Sequence, residues 1–348
     1  MSKLKYELAI LGAGITGSFA AYIASKYGLK TVVIDKSINP DGATSKSGGI
    51  VTRMLDNLND AVLALKSLNL IYEVCRDCKD VIHKGYLCIE DIESAEEDLE
   101  KFRKLIPDLK LLYPSDILNK WDYVKLYNDE VGLYSESDLT VEPDRLLSIV
   151  WSRSMDLGAE FKLGIEASGL NILNGRIESI ELSNGEVLKS DNVLIALGAW
   201  SKSFLKKYRV KVKTFLLAVP LFKFDIGLSN LIGLWDEEMY SYWRPSLGNT
   251  FIGGGYDAYR ISNPEDGFRK PYPDSISYVI ELLKFRFKFK RWRLIDQWCG
   301  PISISYSYHP IYGRVKKFEN LYLIDGLGGY GLVRGPALAS EVLNMIIG

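Results

Sequence analysis

Two continuous apolar runs flank a glycine-containing turn and an apolar helix at the start of the sequence. Residues 6–11 and 30–35 lack the alternation of apolar and polar residues that half-exposed strands show. Continuous apolar runs of this kind are typical of parallel strands buried on both faces. Residues 15–26 between them predict a helix. The pattern therefore predicts a strand–turn–helix–strand unit.

Similar units recur later in the chain. Residues 39–49 form a polar, glycine-rich loop, and helices are predicted at 65–81, 94–109 and 142–157. Hairpin signals follow in residues 164–193, a buried strand at 191–197, and an antiparallel pattern at 210–256. Residues 320–348 predict a strand, a glycine loop and a helix that starts near Pro336.

Parallel-type units at the start, middle and end enclose antiparallel segments. This order predicts an α/β protein with a discontinuous Rossmann-like domain and an inserted, antiparallel sheet-rich α+β domain. We place the first domain at residues 1–85, 140–205 and 300–348. The second domain then takes residues 86–139 and 206–299.

Composition is ordinary for a globular enzyme, with 47% hydrophobic and 25% charged residues in 348 and a formal net charge of −1. This charge argues against nucleic-acid binding. The basic run at 284–293 (KFRFKFKRWR) predicts an amphipathic segment with its aromatic residues inward and its Lys and Arg in water. The alternative is a docking surface for a partner or a lipid headgroup. Glutamine occurs once, at Gln297, a composition that leans toward a thermophile.

The sequence shows neither a signal peptide nor a long apolar stretch. The first strand begins almost at once, and no uninterrupted apolar run approaches the roughly 18 residues of a membrane-spanning helix. We therefore predict a cytoplasmic protein, with any membrane association peripheral.

The spacing of Cys75, Cys78, His83 and Cys88 matches a zinc knuckle. Lys79 and Ile82 occupy knuckle positions that usually carry glycine, and the first two cysteines lie on the apolar face of the predicted helix. We therefore predict buried, small apolar cysteines and no metal site, with zinc binding and a Cys75–Cys78 disulfide as alternatives.

Gly12, Gly14 and Gly17 form G-x-G-x-x-G between the first strand and helix. The glycines permit a tight turn, a close approach to a pyrophosphate and close helix packing, while the helix N-terminus attracts phosphate. Asp35 ends the second strand, where a carboxylate accepts hydrogen bonds from a ribose. The pattern predicts a dinucleotide site that also includes Ala13, Ile15, Thr16 and Lys36, without distinguishing NAD from FAD.

Four further motifs occur in one order along the chain. They are GATSKSGGIV at 42–51, LGAWS at 197–201, YWRP at 242–245 and LYLIDGLGGYGLVRGP at 321–336. With the glycine motif, they make the chain resemble the D-amino-acid oxidase superfamily, which includes glycine and sarcosine oxidases and the catalytic subunits of dye-linked L-proline dehydrogenases. The resemblance implies a glutathione-reductase-like FAD-binding domain beside a substrate-binding domain.

The resemblance also implies positions for the flavin. Thr44 and Ser45 match pyrophosphate contacts, and Ala167 matches a backbone contact to the adenine. The remaining matches lie along the ribityl chain, the isoalloxazine and the closing turns: Ser47, Gly48, Gly49, Ile50, Gly198, Trp200, Gly328, Gly329, Tyr330, Gly331 and Leu332. Cys299 does not match the position of covalent flavin attachment in sarcosine oxidases, so FAD is expected to bind without a covalent link.

Substrate-site candidates are fewer. Arg244 in YWRP is suited to hold a carboxylate bidentately, with Tyr242 and Tyr256 on neighbouring strands. Arg334 and Arg53 are further candidates, each with a structural role as its alternative. His309 is the available histidine base.

The chain departs from the relatives near the expected active site. Pro301 and Ile302 stand where many of them carry an arginine, and Ser307 and His309 lie where many carry an aspartate. The resemblance therefore does not identify the substrate of this chain.

The resemblance implies an FAD-dependent enzyme that oxidises the C–N bond of a small carboxylated amine, of the glycine, sarcosine or proline type, by hydride transfer to flavin N5. Oxygen, a quinone or a dye-like carrier would accept the electrons. One alternative is a 2-hydroxy-acid or glycerol-3-phosphate dehydrogenase that uses His309 as a base. Another is a flavoprotein subunit with little activity alone, which leaves room for a partner subunit or a homo-oligomer.

Overall fold

The computed structural model describes residues 5–76 and 78–348, which form two large sheets with helices packed on them. The strands in chain order are β1 (Lys5–Leu11), β2 (Thr31–Asp35), β3 (Ile50–Val51), β4 (Ile82–Asp91), β5 (Lys110–Leu112), β6 (Glu130–Val141), β7 (Glu160–Leu163), β8 (Ala167–Leu173), β9 (Arg176–Leu182), β10 (Val187–Ile195), β11 (Thr214–Asp225), β12 (Gly233–Asp236), β13 (Ser241–Ser246), β14 (Thr250–Gly254), β15 (Tyr259–Ile261), β16 (Arg293–Ser305), β17 (Ile311–Arg314) and β18 (Leu321–Asp325). The helices are α1 (Ile15–Lys26), α2 (Leu58–Val74), α3 (Ile92–Phe102), α4 (Pro114–Lys120), α5 (Pro143–Asp156), α6 (Ser201–Lys206), α7 (Pro273–Arg286) and α8 (Gly331–Ile347).

The first sheet has the order β17-β18-β10-β1-β2-β7, with the β8–β9 hairpin attached to β10. Its central pairs are parallel, so β1 lies between β10 and β2, and β18 follows β10. Both faces are covered, which is why the strands are continuously apolar: α1, α2, α5 and α8 cover one face, and the hairpin with α6 covers the other. The turns after β1 and β18 therefore open at the same edge of the sheet.

The second sheet is antiparallel except for the parallel pair β12–β4. Its order is β15-β11-β14-β13-β12-β4-β6-β3, with β16 on β11 and β5 on β6. A core of aromatic and aliphatic side chains packs between this sheet and α7. The predicted α/β fold with a discontinuous parallel sheet and a second, sheet-rich region is confirmed. The division into two domains at the stated residues stays a prediction; the second sheet starts at β3 and runs to Ser305.

Several predicted helix bounds were wrong. The helix predicted at 65–81 runs from Leu58 to Val74, because Asn57 caps its start by accepting from the Asp60 N–H. The helix predicted to begin near Pro336 begins at Gly331, with the proline inside its second turn. Proline lacks the N–H that would bond the carbonyl four residues earlier, so the helix loses one hydrogen bond there and continues.

The basic run at 284–293 does not keep all its charges in water. Phe287 and Phe289 pack into the second core as predicted, but Arg286 is fully buried. Its guanidinium bonds both oxygens of Glu130 at 2.7 and 2.8 Å and both oxygens of Asp236 at 2.7 and 2.8 Å. The prediction was wrong for this residue because two carboxylates from separate strands meet it inside the protein.

Cys75 and Cys78 are joined by a disulfide directly after α2. The preferred prediction of two free, apolar cysteines was therefore wrong, and the disulfide alternative holds. The bond leaves neither sulfur as a thiolate for zinc. Cys88 lies in the middle of β4 as a buried thiol, and within residues 5–76 and 78–348 no group of three or more metal-ligating side chains occurs.

None of the helices in the described part of the chain has the length and apolar character of a membrane span.

Candidate functional site

A cavity of about 1500 Å³ lies between the two sheets. One end is formed by the turn after β1, the end of β2 and the start of α6. Its middle is formed by residues 44–50, and its far end by α3, β4, β12 and residues 327–334. The cavity therefore has the extended shape that a dinucleotide needs. It has additional space between residue 50 and the far end formed by α3, β4 and β12.

The glycine turn after β1 is shaped by close backbone contacts. Gly12 has φ of +106°, and a Cβ on it would lie 2.4 Å from the Ala196 carbonyl oxygen. A Cβ on Gly17 would lie 1.9 Å from the carbonyl oxygen of Gly12. Gly17 therefore does not line the cavity but lets α1 start directly beneath the turn.

The start of α1 presents backbone donors to the cavity. The N-cap residue, Gly14, has no side chain to cap this helix, and the Ile15 N–H donates to Thr44 Oγ1 at 3.0 Å. The Asp35 carboxylate accepts from the Ala13 N–H at 2.6 Å and from the Ser37 N–H at 2.8 Å, which ties the end of β2 to the turn. A helix N-terminus open to the cavity is a phosphate-binding arrangement.

The loop at 44–50 forms the middle wall. Gly49 has φ of +69°, and a Cβ on it would lie 2.4 Å from the Val141 carbonyl oxygen. Ser47 lines the cavity, and its Oγ is buried with no hydrogen-bond partner in the described part of the chain. A polar ligand in the cavity would satisfy this hydroxyl.

The start of α8 forms another part of the cavity wall. Gly328 has φ of +62°, and α8 begins uncapped at Gly331. Its positive end thus faces the cavity, which favours negative charge there. Arg334 in the first turn pairs with both oxygens of Asp60 at 2.7 and 2.6 Å, and its guanidinium carbon lies 4.7 Å from the centre of the Tyr330 ring.

Most of the residues predicted to bind the cofactor line this one cavity: Gly12, Ala13, Gly14, Ile15, Thr16, Asp35, Lys36, Thr44, Ser47, Gly48, Gly49, Ile50, Ala167, Gly198, Trp200, Gly328, Gly329, Tyr330, Gly331 and Leu332. Gly17 and Ser45 do not. The Ser45 hydroxyl donates to the Pro40 carbonyl oxygen.

Asp325 and Trp151 are among the lining residues that sequence reasoning missed. Asp325 ends β18, one oxygen is buried without a partner among the described residues, and burial raises its pKa to about 6. Its signal was an acidic residue at the end of a buried strand, as at Asp35. Trp151 Nε1 donates to the Ala13 carbonyl oxygen at 2.9 Å, and no local pattern in its helix predicts that long-range contact.

Two predicted substrate arginines do not reach the cavity. Arg244 is buried beneath the 44–50 loop, and its Nη1 lies 3.2 Å from Glu142. Although burial acts to raise the pKa of Glu142, the neighbouring His83 imidazole, 3.4 Å away, and the charge of Arg244 lower it to about 2. Arg53 is buried against Asp138, with Nε 2.6 Å from the carboxylate.

Tyr256, Arg334 and His309 do line the cavity. Tyr256 is 71% exposed and lies at the mouth, while the Arg334 charge is already matched by Asp60. Of the five residues predicted to contact the substrate, these three are brought together and two arginines are not.

The additional space between residue 50 and the far end of the cavity is a chamber lined by tyrosines. Tyr86 on β4, Tyr242 on β13 and Tyr330 before α8 line it, and burial raises the pKa of each, that of Tyr330 to about 12. Tyr242 lies against the loop, with a ring carbon 3.3 Å from the Cβ that Gly48 lacks. These phenols stay protonated near neutral pH and can donate hydrogen bonds to a ligand.

Comparison with known proteins identifies a family. The family described as FAD dependent oxidoreductase (DAO) matches residues 7–345. The chain is 20% identical to a D-amino acid dehydrogenase of Helicobacter pylori over 98% of this chain and 95% of that protein. It is 23% identical to an N-methyl-L-tryptophan oxidase of Salmonella typhi over 99% of this chain and 95% of that protein.

Solved structures share the fold. An L-proline dehydrogenase from P. horikoshii superposes with a TM-score of 0.86 at 18% identity, covering 99% of this chain and 94% of that one. A glycine oxidase from Bacillus cereus superposes with a TM-score of 0.82 at 19% identity, covering 98% and 95%.

Proposed function

We propose, because the chain belongs to the DAO family of FAD-dependent oxidoreductases, that it oxidises the C–N bond of an amino acid or a secondary amine. Glycine, sarcosine and proline are the smallest candidate substrates. The observation that carries this proposal is the tyrosine-walled chamber, which is continuous with the dinucleotide-shaped part of the cavity.

The residues present fit FAD. The start of α1 would hold the pyrophosphate, Asp35 the ribose, and the unsatisfied Ser47 hydroxyl the chain leading to the flavin. The uncapped start of α8 would lie beside the flavin edge that becomes negative on reduction. Bound there, FAD would supply the two-electron oxidation of the amine to an imine.

We also propose that FAD binds without a covalent bond to the protein. Cys299 does not line the cavity. Cys88 does, but burial holds the pKa of its thiol well above the ordinary value, so it stays protonated and is a poor nucleophile.

The protein groups of the chamber would orient the substrate. The hydroxyls of Tyr86, Tyr242 and Tyr330 lie close enough that the other two raise the pKa of the first. As protonated donors they would hold a substrate oxygen, a role that replaces the carboxylate anchor predicted for Arg244. None of them is a base near neutral pH, so the amine is expected to react in its unprotonated form.

The test is an anaerobic visible spectrum of the purified holoprotein before and after addition of substrates. Bleaching of the oxidised-flavin bands by glycine, sarcosine, L-proline or D-amino acids would support the proposal. We expect Tyr330→Phe to raise the substrate concentration needed for half-maximal bleaching about tenfold, because one hydrogen bond is lost. The control is Tyr312→Phe, since Tyr312 is half-exposed on β17 and lies outside the cavity lining.

A second candidate function rests on His309, which lines the cavity and offers a base for a hydroxyl proton. Bleaching by lactate, 2-hydroxyglutarate or glycerol 3-phosphate, and by no amine, would favour that dehydrogenase. Flavin that no compound bleaches would indicate a subunit that depends on a partner. The electron acceptor can be identified by reoxidising the bleached flavin with oxygen, a quinone or a dye.

A further inference from the structure

The chamber extends past the tyrosines to an acidic end. Successive side chains on one face of a strand are about 7 Å apart. On β4 the cavity-facing residues are Tyr86, Cys88 and Glu90, so Glu90 lies two rows beyond the first tyrosine. Glycine or sarcosine would not span that length.

Glu90 is a buried carboxyl without a partner. Its residue is 7% exposed, it lines the cavity, and its Oε1 has no hydrogen-bond partner among residues 5–76 and 78–348. Arg53, Arg244, Arg286 and Arg334, the buried arginines of the described chain, all pair with carboxylates elsewhere. A buried acid left unpaired is costly unless a ligand matches it.

The surroundings of Glu90 are predominantly acidic. The cavity-lining charged groups near it are Glu97, Asp98 and Lys101 on α3 and Glu237 after β12, and Asp91 follows on its own strand. Lys101 is matched by Asp98 at 2.9 Å. The local charge therefore repels a carboxylate and attracts a cation.

Aromatic rings complete this end of the cavity. Trp235 and Tyr256 meet edge to face at 6.4 Å between ring centres, and Tyr240 meets Tyr256 at 5.5 Å. Trp235 Nε1 also donates to Glu237, which fixes ring and carboxylate together. Aromatic faces beside carboxylates are a recognition surface for ammonium and guanidinium groups.

We infer that this acidic, aromatic end binds a cationic group, an ammonium or a guanidinium, which the substrate carries in addition to the amine that is oxidised. The inference rests on the proposed function and narrows its substrate class to diamines, basic amino acids and their N-alkyl derivatives. Glu90 is the residue that determines this specificity.

The experiment compares substrates that differ in charge but little in shape. The pairs are arginine with citrulline and lysine with norleucine, each as both enantiomers, and the readout is the anaerobic rate of flavin reduction. We expect the cationic member to have a kcat/KM about 10–100-fold higher, the range of one buried, charged hydrogen bond. In Glu90→Gln this ratio is expected to fall below about threefold, because the isosteric amide carries no charge.

Glu100→Gln is the matched control. Glu100 lies on the same helix as Asp98, its side chain is 64% exposed, and it pairs with Arg103 outside the cavity lining. The ratio should stay at the wild-type value in this variant. Equal rates for arginine and citrulline in the wild type, or an unchanged ratio in Glu90→Gln, would overturn the inference and leave the proposed function standing.

The pH profile separates a charge role from a structural one. Burial and the charges of Asp98, Glu237 and Asp91 raise the pKa of Glu90 to about 8, and Lys101 opposes them. Cation binding needs the ionised carboxylate, so the arginine-to-citrulline ratio should rise as pH increases through about 8. In Glu90→Gln the ratio should be flat with pH.

A binding measurement keeps the inference testable if no amine reduces the flavin. Butylguanidine and butylurea have similar shapes but different charges, and each can be titrated against the flavin spectrum of the holoprotein. Tighter binding of butylguanidine that disappears in Glu90→Gln would support the cation site even if the proposed function failed. Equal binding of the two compounds would overturn it.

Discussion

The two sheets present different kinds of groups to the cavity between them. Around the first sheet the groups facing the cavity are mainly backbone N–H groups at the starts of α1 and α8, with glycines where a Cβ would collide. Around the second sheet they are side chains from β4, β12 and β13, which pairing across strands brings together. Backbone recognition leaves a compact motif in the sequence, whereas side-chain recognition is dispersed over distant segments.

Two arginines around the second sheet show how a dispersed set of side chains misleads sequence reasoning. Sequence reasoning assigned Arg244 to a ligand and Arg286 to solvent. Both are instead buried and paired with carboxylates, Arg244 with Glu142 and Arg286 with Glu130 and Asp236. If the comparison is right, changing them should alter stability more than substrate binding. Changing a glycine of the first region should alter flavin binding more than stability.

The largest effect is expected from Arg286→Ala. It leaves two buried carboxylates unpaired, so the free energy of unfolding should fall by about 3–5 kcal/mol. Urea denaturation followed by circular dichroism measures this. Lys290→Ala in the same basic run is the control and should change stability by less than about 0.5 kcal/mol, because Lys290 is exposed. Similar losses in both variants would contradict the buried role.

Arg244→Ala should act on stability and not on substrate affinity. It removes the charge that pairs with Glu142 beneath the 44–50 loop, at an expected cost of about 3 kcal/mol. With FAD saturating, the KM for an amine substrate should change by less than about twofold, since the guanidinium does not line the cavity. A tenfold rise in KM with stability intact would restore the carboxylate anchor first predicted for this residue.

Gly12→Ala should weaken flavin binding about 100-fold, or roughly 2.7 kcal/mol, because the new methyl group collides with the Ala196 carbonyl. The flavin-to-protein absorbance ratio after gel filtration measures the loss. Gly158→Ala is a matched control: Gly158 has φ of +97°, but no atom lies within 4 Å of its Cβ position. A control that lost flavin equally would show that backbone strain alone, and not contact at the turn, is responsible.

The last prediction concerns how the stability of Glu90→Gln, relative to the wild type, changes with pH. The pKa of Glu90 is about 8 in the folded protein and near 4.5 in the unfolded chain, so the unfolded state releases this proton first. Wild-type stability should therefore fall as pH rises from about 4.5 to about 8, and the variant should lack this part of the fall. We expect the variant's Tm advantage to grow by a few degrees between pH 5 and pH 9. No growth would indicate that Glu90 is ionised in the empty chamber.

Sequence reasoning was most successful where the physical cause is local. The glycine turn, α1 and the end of β2 follow from apolar runs and from glycines that only a tight turn requires. It was wrong at Pro336, because a helix can lose one hydrogen bond when buried neighbours hold it, as they do for α8. Local pattern could not foresee tertiary packing there.

The substrate side was less predictable for the same reason. Glu90 and Trp235 come close through the β4–β12 pairing, although more than a hundred residues separate them in the chain. Because they lie so far apart in the sequence, no local motif could predict the acidic character of the chamber. An arginine in YWRP looks identical in the sequence whether it faces a ligand or a buried glutamate.

The order of strands in the first sheet also bears on how the protein is made. β1, β10 and β18 are parallel neighbours, yet they come from residues 5–11, 187–195 and 321–325. During synthesis β2 follows β1 directly, but β10, the neighbour of β1 on its other side, is made only after residue 187, and the α8 wall of the cavity only after residue 331. Capture of the flavin is therefore expected to follow translation of that segment, so the nascent chain carries an incomplete, exposed sheet edge until then, which makes it a natural client for chaperones.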